Sequence, residues 1–389
     1  MDKHLSAMTG FIECGHLLVV DIDTWMFMDW DLNTDTYDTI ADLKPVGEYK
    51  LCWIQKILKY KNSYYFMQRN SKQLIEYDAQ KKEVVRHGLD YLLGDSKCII
   101  YSGAYIWEDY LYMMPFSYDG MITVFDMKSK RYIQEYRMVD LFGNKEIFGR
   151  DKKILSYVLS NDKLWFCVEK SNLAFCLDIQ TMQSICFNLD APESLYMATG
   201  GEEGVFLTEI DSYRFYEYDS VFNIFRNHDV HKQQMNHKLK GYRFIFRSTQ
   251  SIVAIDKEMK AMDIIGADDR NIETIMFPDE LCNIFELRRI DGIFYGYIFK
   301  DKKVYLPSFS GNGTLEIDLF KYDIKYHCLK ISHRDVVCRR YYGEKMLYEN
   351  SDFKLDELCY ILNKLQDRSV DMRKTCTGLN IYKKLTGLY

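Results

Sequence analysis

The sequence predicts an all-β chain folded as a seven-bladed β-propeller, with six blades as the alternative count, followed by a short C-terminal helical tail. Three observations lead there. First, one pattern recurs along the chain: LIEYDAQKKEVV at 74–85, ITVFDMKSKRYI at 122–133, LAFCLDIQTMQSI at 173–185, RFYEYDSVFNIF at 214–225 and SIVAIDKEMKAMDI at 251–264, with MFMDWDLNTDTYDTI at 26–40 a longer copy. Second, an Asp marks each copy. Asp31, Asp78, Asp126, Asp178, Asp219, Asp256 and Asp318 lie 47, 48, 52, 41, 37 and 62 residues apart. Their mean spacing of about 48 falls in the range of four-stranded propeller blades. Third, further strand-like runs precede each copy and bring the units to four strands.

Each copy is a hairpin. Apolar residues alternating with polar ones over five to seven positions read as a strand, and two such runs flank a polar stretch. The Asp stands where its carboxylate accepts hydrogen bonds from the turn's backbone amides and sets the register. In the third unit the runs are IIYSGAYIW (99–107), YLYMMPFS (110–117), MITVFDM (121–127) and RYIQEYR (131–137). In the fourth they are ILSYVLS (154–160), KLWFCVE (163–169), NLAFCLD (172–178) and QSICFNL (183–189). The marks at 219 and 256 are crowded and the one at 318 is late, so the sixth blade is the least regular. A four-stranded sheet with two apolar faces cannot bury both alone. Stacking such sheets around an axis buries them and leaves only short edges. The 31 Tyr and 23 Phe suit such pleated, half-buried surfaces. A long sandwich is the competing all-β architecture, but it does not require an internal period.

On these repeats the chain resembles the degenerate blades of kelch-type and WD-repeat propellers over about residues 10–332. The GH and WD dipeptides of WD repeats are not in register, and the paired glycines of kelch repeats occur only at Gly200–Gly201. The resemblance implies an interaction platform.

Composition sets further bounds. With 57 acidic and 51 basic residues the net charge is −6, which supplies no global field for nucleic acid, so no nucleic-acid partner is expected. No run of 18 apolar residues predicts a membrane span. The start lacks the apolar core of a secretory signal, and the 11 cysteines lack paired spacing. The expected location is the cytoplasm. The propeller domain is assigned to 1–345 and a helical extension to 346–389. In SDFKLDELCYILNKLQ, Leu355, Leu358, Leu362 and Leu365 recur at helical spacing after Ser351 as a candidate N-cap, with Asp352 in the first turn. A second short helix is read in LNIYKKL, with Ile381, Tyr382 and Leu385 on one side. Packing of this tail on the propeller is the simpler expectation, and docking on another protein the sharper one.

Several motifs carry candidate chemistry. DLNTDTYDTIAD at 31–42 places Asp31, Asn33, Asp35 and Asp42 at calcium-loop positions one, three, five and twelve, but Thr36 replaces the glycine at six. FSYDGMITVF at 116–125 resembles the Asp-box turn of sialidase-like propellers, with Gly120 one position early. That turn is structural even where it is regular. His228, His231 and His237 are candidate zinc ligands, with solvated loop histidines as the simpler reading. Cys167, Cys176 and Cys186 fall on successive strands among apolar neighbours, where cysteine behaves as a small hydrophobe. No cofactor or metal is expected.

The candidate binding residues come from a different comparison. YLYMMPFSYDG and VYLPSFSGNG both end a strand at a proline, Pro115 and Pro307, which suits the turn from second to third strand. In propellers these turns and the interblade loops surround one end of the central channel. Trp25, Phe116, Tyr118, Tyr213 and Phe309 lie in such positions. They are read as a stacking or anchoring surface, the alternative being that they cap the core. The main functional reading is a non-catalytic scaffold that binds a protein or carbohydrate partner through loops at the channel face. The rival is a glycan-active hydrolase or lyase with carboxylates near the channel. Two acids converging in a pocket would favour the rival. The ligand, the partner and the oligomeric state are not specified by the sequence.

Overall fold

A computed structural model describes residues 3–331 except 23, 45–52, 70–72, 89–100, 144–151, 191–193, 231–239, 250, 259, 267–270, 279–295 and 310–312. Seven four-stranded antiparallel sheets, covering 10–42, 54–88, 101–137, 158–188, 195–229, 242–276 and 298–327, follow one another in the chain. In each, the strands are ordered as in the sequence, so a blade is one uninterrupted meander. The first strand of every blade lines the central channel. The count is seven, not six.

Burial follows strand position. The third strands of blades 4 and 6, Leu173–Asp178 and Ala261–Ile265, are buried almost throughout. The fourth strands, such as Glu83–Gly88 and Ile224–Asp229, are largely exposed with some half-buried positions. The apolar third-strand runs in the sequence are therefore faces covered from both sides by neighbouring blades, as in any doubly covered sheet. The outermost strands have water on one side and read as alternating.

Aromatic pairs bridge each of the seven blade interfaces. Ring centroids are 4.8 Å apart for Phe27–Phe66, 6.2 Å for Tyr65–Phe125, 5.8 Å for Tyr118–Phe175 and 4.1 Å for Trp165–Tyr218. They are 6.2 Å for Phe215–Tyr242, 4.9 Å for Phe246–Tyr297 and 6.2 Å for Trp30–His327. Such pairs each add about 1 kcal/mol beyond the area they bury. The ring closes through Trp30–His327 and a two-stranded clasp in which Lys3–His4 pairs with Lys330–Ile331. Beyond the clasp, the Ala7 amide donates to the Ser308 carbonyl at 2.9 Å.

The repeated Asp ends the third strand in six blades. Its Oδ1 accepts two backbone amides in five of them: Gln80 and Lys81 at Asp78, Lys128 and Ser129 at Asp126, Gln180 and Thr181 at Asp178, Val221 and Phe222 at Asp219, Phe320 and Lys321 at Asp318. Asp31 accepts the Asn33 amide and the Thr34 hydroxyl. These bonds lower the carboxyl pKa of Asp31, Asp126 and Asp178. Four positions after each Asp stands a residue with left-handed backbone: Asp35, Lys82, Lys130, Met182, Asn223 and Tyr322.

Blade 6 breaks the rule, and Asp256 was assigned one strand too early. It ends the second strand, Ile252–Asp256. The equivalent of the repeated Asp is Gly266, whose amide donates to the Asn271 carbonyl as the Asp178 amide donates to Gln183. Gly266 is 47 residues after Asp219 and 52 before Asp318, so the crowded and late intervals disappear. The one described helix, Met138–Phe142, was not anticipated. It wedges between blades 3 and 4, with Phe142 against Phe166 and Phe175. The helical tail assigned to 346–389 lies outside the described residues.

Candidate functional site at the channel mouth

The inner strands enclose a cavity of about 360 Å³ whose wall takes residues from every blade: Ile12, Lys56, Tyr105, Tyr157, Met197, Phe244 and Tyr297. A second cavity of about 170 Å³ shares Gln55, Ser102, Leu155 and Met197 with it and adds Arg69, Phe116, Tyr196 and Arg243. These additions come from the starts of inner strands, from the end of the second strand of blade 2 and from the second-to-third turn of blade 3. The smaller cavity is therefore the mouth of the channel on the face that carries those turns.

The phenols inside are fixed hydrogen-bond donors or acceptors. Tyr105 donates to the Tyr157 carbonyl, and Tyr157 donates to the Pro115 carbonyl at 2.6 Å. Burial pushes both hydroxyls well above their usual pKa. The Tyr297 hydroxyl accepts the Gly200 amide at 3.1 Å and is pushed up to about 12 by burial. Gly200 and Gly201, the paired glycines, thus sit where the inner strand of blade 5 meets blade 7. A Cβ on Gly201 would lie 3.1 Å from the Phe299 ring.

The charge of the wall is one-sided. Among the described lining residues of the joined cavities, Lys56, Lys300, Arg69 and Arg243 are cationic and Glu202 alone is acidic. Burial lowers the Lys56 pKa, and among the described residues no carboxylate pairs with its ammonium, which lies 5.7 Å from the Tyr105 ring centre. Lys257 is pushed down to about 8, first by burial and also by neighbouring Arg243, while Asp211 and Glu169 oppose the shift.

The sequence-predicted aromatics divide into two groups. Trp25, Tyr118 and Phe309 are 4%, 1% and 1% exposed and belong to core clusters. Trp25 turns the chain with left-handed backbone at φ 61°. Phe309 packs on Trp53 at 5.6 Å. Only Phe116 and Tyr213 are half-buried, and Phe116 alone of the five lines the mouth. Its ring carries the Arg69 guanidinium at 4.8 Å and the Lys153 ammonium at 6.0 Å. Arg69 also lies 5.7 Å from Trp53, and Lys257 lies 4.6 Å from Tyr196. The aromatic rings at the mouth are platforms for cations.

Other candidates take structural places. In 31–42, the strand Thr36–Asp42 carries Asp42 to the far end of the hairpin, opposite Met26. At about 3.3 Å per residue that is too far from Asp31 to share an ion. Among the described residues no cluster of three or more His, Cys, Asp or Glu could hold a metal. His228 stacks on Phe215 and its Nε2 lies 3.3 Å from Glu217, while His231 and His237 lie outside the described residues. Cys167 and Cys176 are buried in the core between blades 4 and 5, where burial raises both thiol pKa values, that of Cys176 to about 11. In the Asp-box-like stretch the Gly120 amide closes a turn onto the Ser117 carbonyl.

A second repeated constellation was missed. Glu76–His87, Glu217–His228 and Glu316–His327 each pair residues eleven apart on the third and fourth strands of blades 2, 5 and 7. A cation completes each: Lys130 and Arg247 reach across from the next blade, and Lys303 lies in the same blade at 2.6 Å. The signal was present as Glu-x-Asp followed nine residues after the Asp by His, in three of the marked copies. Burial opposes ionisation at Glu76, but bonds from His87, Lys130 and Ser63 outweigh it and hold the carboxyl at about 2. At Glu316, bonds from His327 and Lys303 overcome burial to the same effect. These acids lie away from the channel and are held ionised by cationic and hydrogen-bond partners, which is the environment of a clasp rather than of an acid–base pair.

Fold and ring together define a seven-bladed β-propeller with a cationic channel mouth. Searches found no matching protein-family model and no matching curated protein. Among solved structures, the chain is similar to a streptogramin B lyase at 12% identity, over 84% of this chain and 97% of that one, with a TM-score of 0.56. It is similar to the propeller domain of Myceliophthora thermophila Cps50 (Swd1) at 11% identity, over 80% and 96%, with a TM-score of 0.52. Dihydro-heme d1 dehydrogenase NirN matches at 10% identity, over 86% and 68%, with a TM-score of 0.53. At these identities the likeness concerns the fold alone. No described helix is long and apolar enough to cross a membrane.

Proposed function

We propose that the chain is a recognition scaffold that binds a protein partner at the channel mouth, on the face bearing Phe116 and Tyr213, in the cytoplasm. The observation that carries this reading is the wall of the channel. It offers cations, fixed phenols and apolar side chains, and among its described residues one carboxylate, Glu202. Glycoside hydrolysis through two carboxylates needs a facing pair, and lining residues of this kind do not supply one. A rigid ring holding loops at one end suits binding instead. Carbohydrate recognition by stacking is the weaker reading, because the rings of Phe116, Trp53 and Tyr196 already bear cations.

The test is a cross-linking and affinity comparison of three forms of the chain. Partners captured by the native protein should be lost when Phe116 and Tyr213 are both replaced by Ala, and retained when the opposite face is altered by Lys321→Gln. Cross-links confined to outer strands, or capture indifferent to the double substitution, would refute the assigned face.

A further inference from the structure

We infer that Lys257 is a covalent capture site for a small aldehyde, which its side-chain amine takes up as an imine at the rim of the channel mouth. The fold fixes where that amine stands. Lys257 follows the second strand of blade 6, Ile252–Asp256, in the turn on the same face as Phe116. Its backbone amide donates to the Gly241 carbonyl at 2.9 Å. Gly241 is pressed in turn against blade 5: its φ is +101°, and a Cβ there would stand 2.3 Å from the Ser212 carbonyl oxygen. The lysine backbone is thus held where two blades meet. From there the side chain lies over Tyr196, with Nζ 4.6 Å from the ring centre, and Tyr196 lines the mouth. The mouth cavity of about 170 Å³ has room for one small aliphatic or aromatic aldehyde.

The residue is 8% exposed. The charges that act on it, Asp211, Arg243, Glu169 and Glu209, do so through space rather than by a hydrogen bond, and the Glu209 carboxylate already accepts the Tyr216 hydroxyl at 2.9 Å. Exposed lysines differ: Lys128 is paired with Asp109, and Lys81 lies 3.7 Å from Asp78. Burial, helped by Arg243, brings the Lys257 amine down to about 8 against the pull of the acids. At neutral pH roughly a tenth to a fifth of it is then the free amine, against about one part in a thousand or less for an ordinary lysine. A desolvated amine near another cation is the setting in which lysine acts as a nucleophile. Its lone pair attacks the carbonyl carbon, and the C–O π pair goes to oxygen, which takes up a proton released by the nitrogen. That oxygen leaves as water and a C=N bond remains, with no change of oxidation state. The surroundings favour this product over an acylated lysine. A protonated imine keeps the positive charge that the Tyr196 face and the three acids accommodate, and an amide would cancel it.

The experiment mixes the full chain with salicylaldehyde, follows the imine absorption band at several pH values, then fixes the imine with borohydride and maps the labelled lysines by peptide mass spectrometry. A fast phase should appear whose rate reaches half its maximum near pH 8, and its label should fall on Lys257. Lys81 and Lys128 should be labelled about tenfold more slowly at neutral pH, despite their exposure, with rates still rising at high pH. Lys257→Arg keeps the charge and removes the amine, so it should abolish the fast phase. Labelling of Lys81 and Lys128 ahead of Lys257, a fast phase that survives in Lys257→Arg, or a Lys257 rate that climbs with pH as the exposed lysines do would overturn the site. None of these readouts involves a partner, so they are decided separately from capture at Phe116 and Tyr213.

Discussion

Nε2 of His87 lies 2.8 Å from the carboxylate of Glu76, and the same pairing recurs at Glu217–His228 and Glu316–His327. In the first two cases the cation that completes the group comes from the following blade. In the third, Asp35 of blade 1 lies 3.7 Å from His327 Nδ1. The repeat therefore places ionic contacts at interfaces 2/3 and 5/6, and a histidine beside a carboxylate at 7/1, in addition to the aromatic pairs.

Acid should weaken these clasps. Glu76 and Glu316 sit at about 2 in the folded chain against a usual value near 4.5. A carboxyl depressed on folding contributes stability above its unfolded pKa and loses it as pH falls towards the folded one, so the sensitive window is pH 4.5 to 2. At Glu76, whose residue is 3% exposed, the shift corresponds to about 3 kcal/mol. Glu76→Gln should be destabilised at pH 7, and its deficit against the native chain should shrink by about 1 kcal/mol at pH 3.5. Urea titrations at the two pH values measure both quantities, and a deficit that does not depend on pH would contradict the assignment.

The Asp turns hold register rather than ligand. Asp178→Ala removes the one carboxylate oxygen that accepts both the Gln180 amide at 3.0 Å and the Thr181 amide at 2.9 Å. Both amides lie near water, so the expected loss is about 1 kcal/mol, with no change in binding at the mouth. Thermal unfolding alongside partner capture checks the pair of outcomes.

Left-handed residues after those turns carry strain that glycine would relieve. Lys82 has φ 57°. The left-handed conformation costs an L-residue about 1–2 kcal/mol, and glycine gives back part of that through its more flexible unfolded state. Lys82→Gly should raise stability by about 0.5 kcal/mol, read as a higher midpoint in urea. A lower midpoint would show that the lysine side chain contributes more than its backbone costs.

Gly200 is the opposite case. Its φ is +128°, and a Cβ there would stand 2.2 Å from the Gly204 carbonyl oxygen. Gly200→Ala should cost about 3 kcal/mol and disturb the contact with Tyr297, whose hydroxyl accepts the Gly200 amide. A melting temperature equal to that of the native chain would rule out the close approach.

The sequence by itself determined the blade. Alternation, the recurring Asp and the spacing are local, because hairpins join neighbours in the chain and a carboxylate bonding amides two and three residues on needs nothing from elsewhere. The one misplaced mark shows the limit of that locality: in blade 6 an Asp ends the second strand and Gly266 stands where an Asp follows the third strand elsewhere, and a single copy of the pattern cannot tell the two hairpins apart. Glu76, His87 and the two other pairs were legible as Glu-x-Asp with a later His, but their cations were not, since Lys130 and Arg247 belong to the next blade.

Only the tertiary structure decided the site. Trp25, Tyr118 and Phe309 occupy turns of the right kind, yet which turn residues face the channel and which fold under it depends on how seven blades crowd around one axis. The same crowding gathers Lys56, Arg69 and Arg243, far apart in sequence and unremarkable as a set, around one small space. Charge summed along the chain is acidic, and charge summed over the described lining residues of the channel is basic, because closing a ring brings one strand of each blade to the axis whatever the composition of the rest.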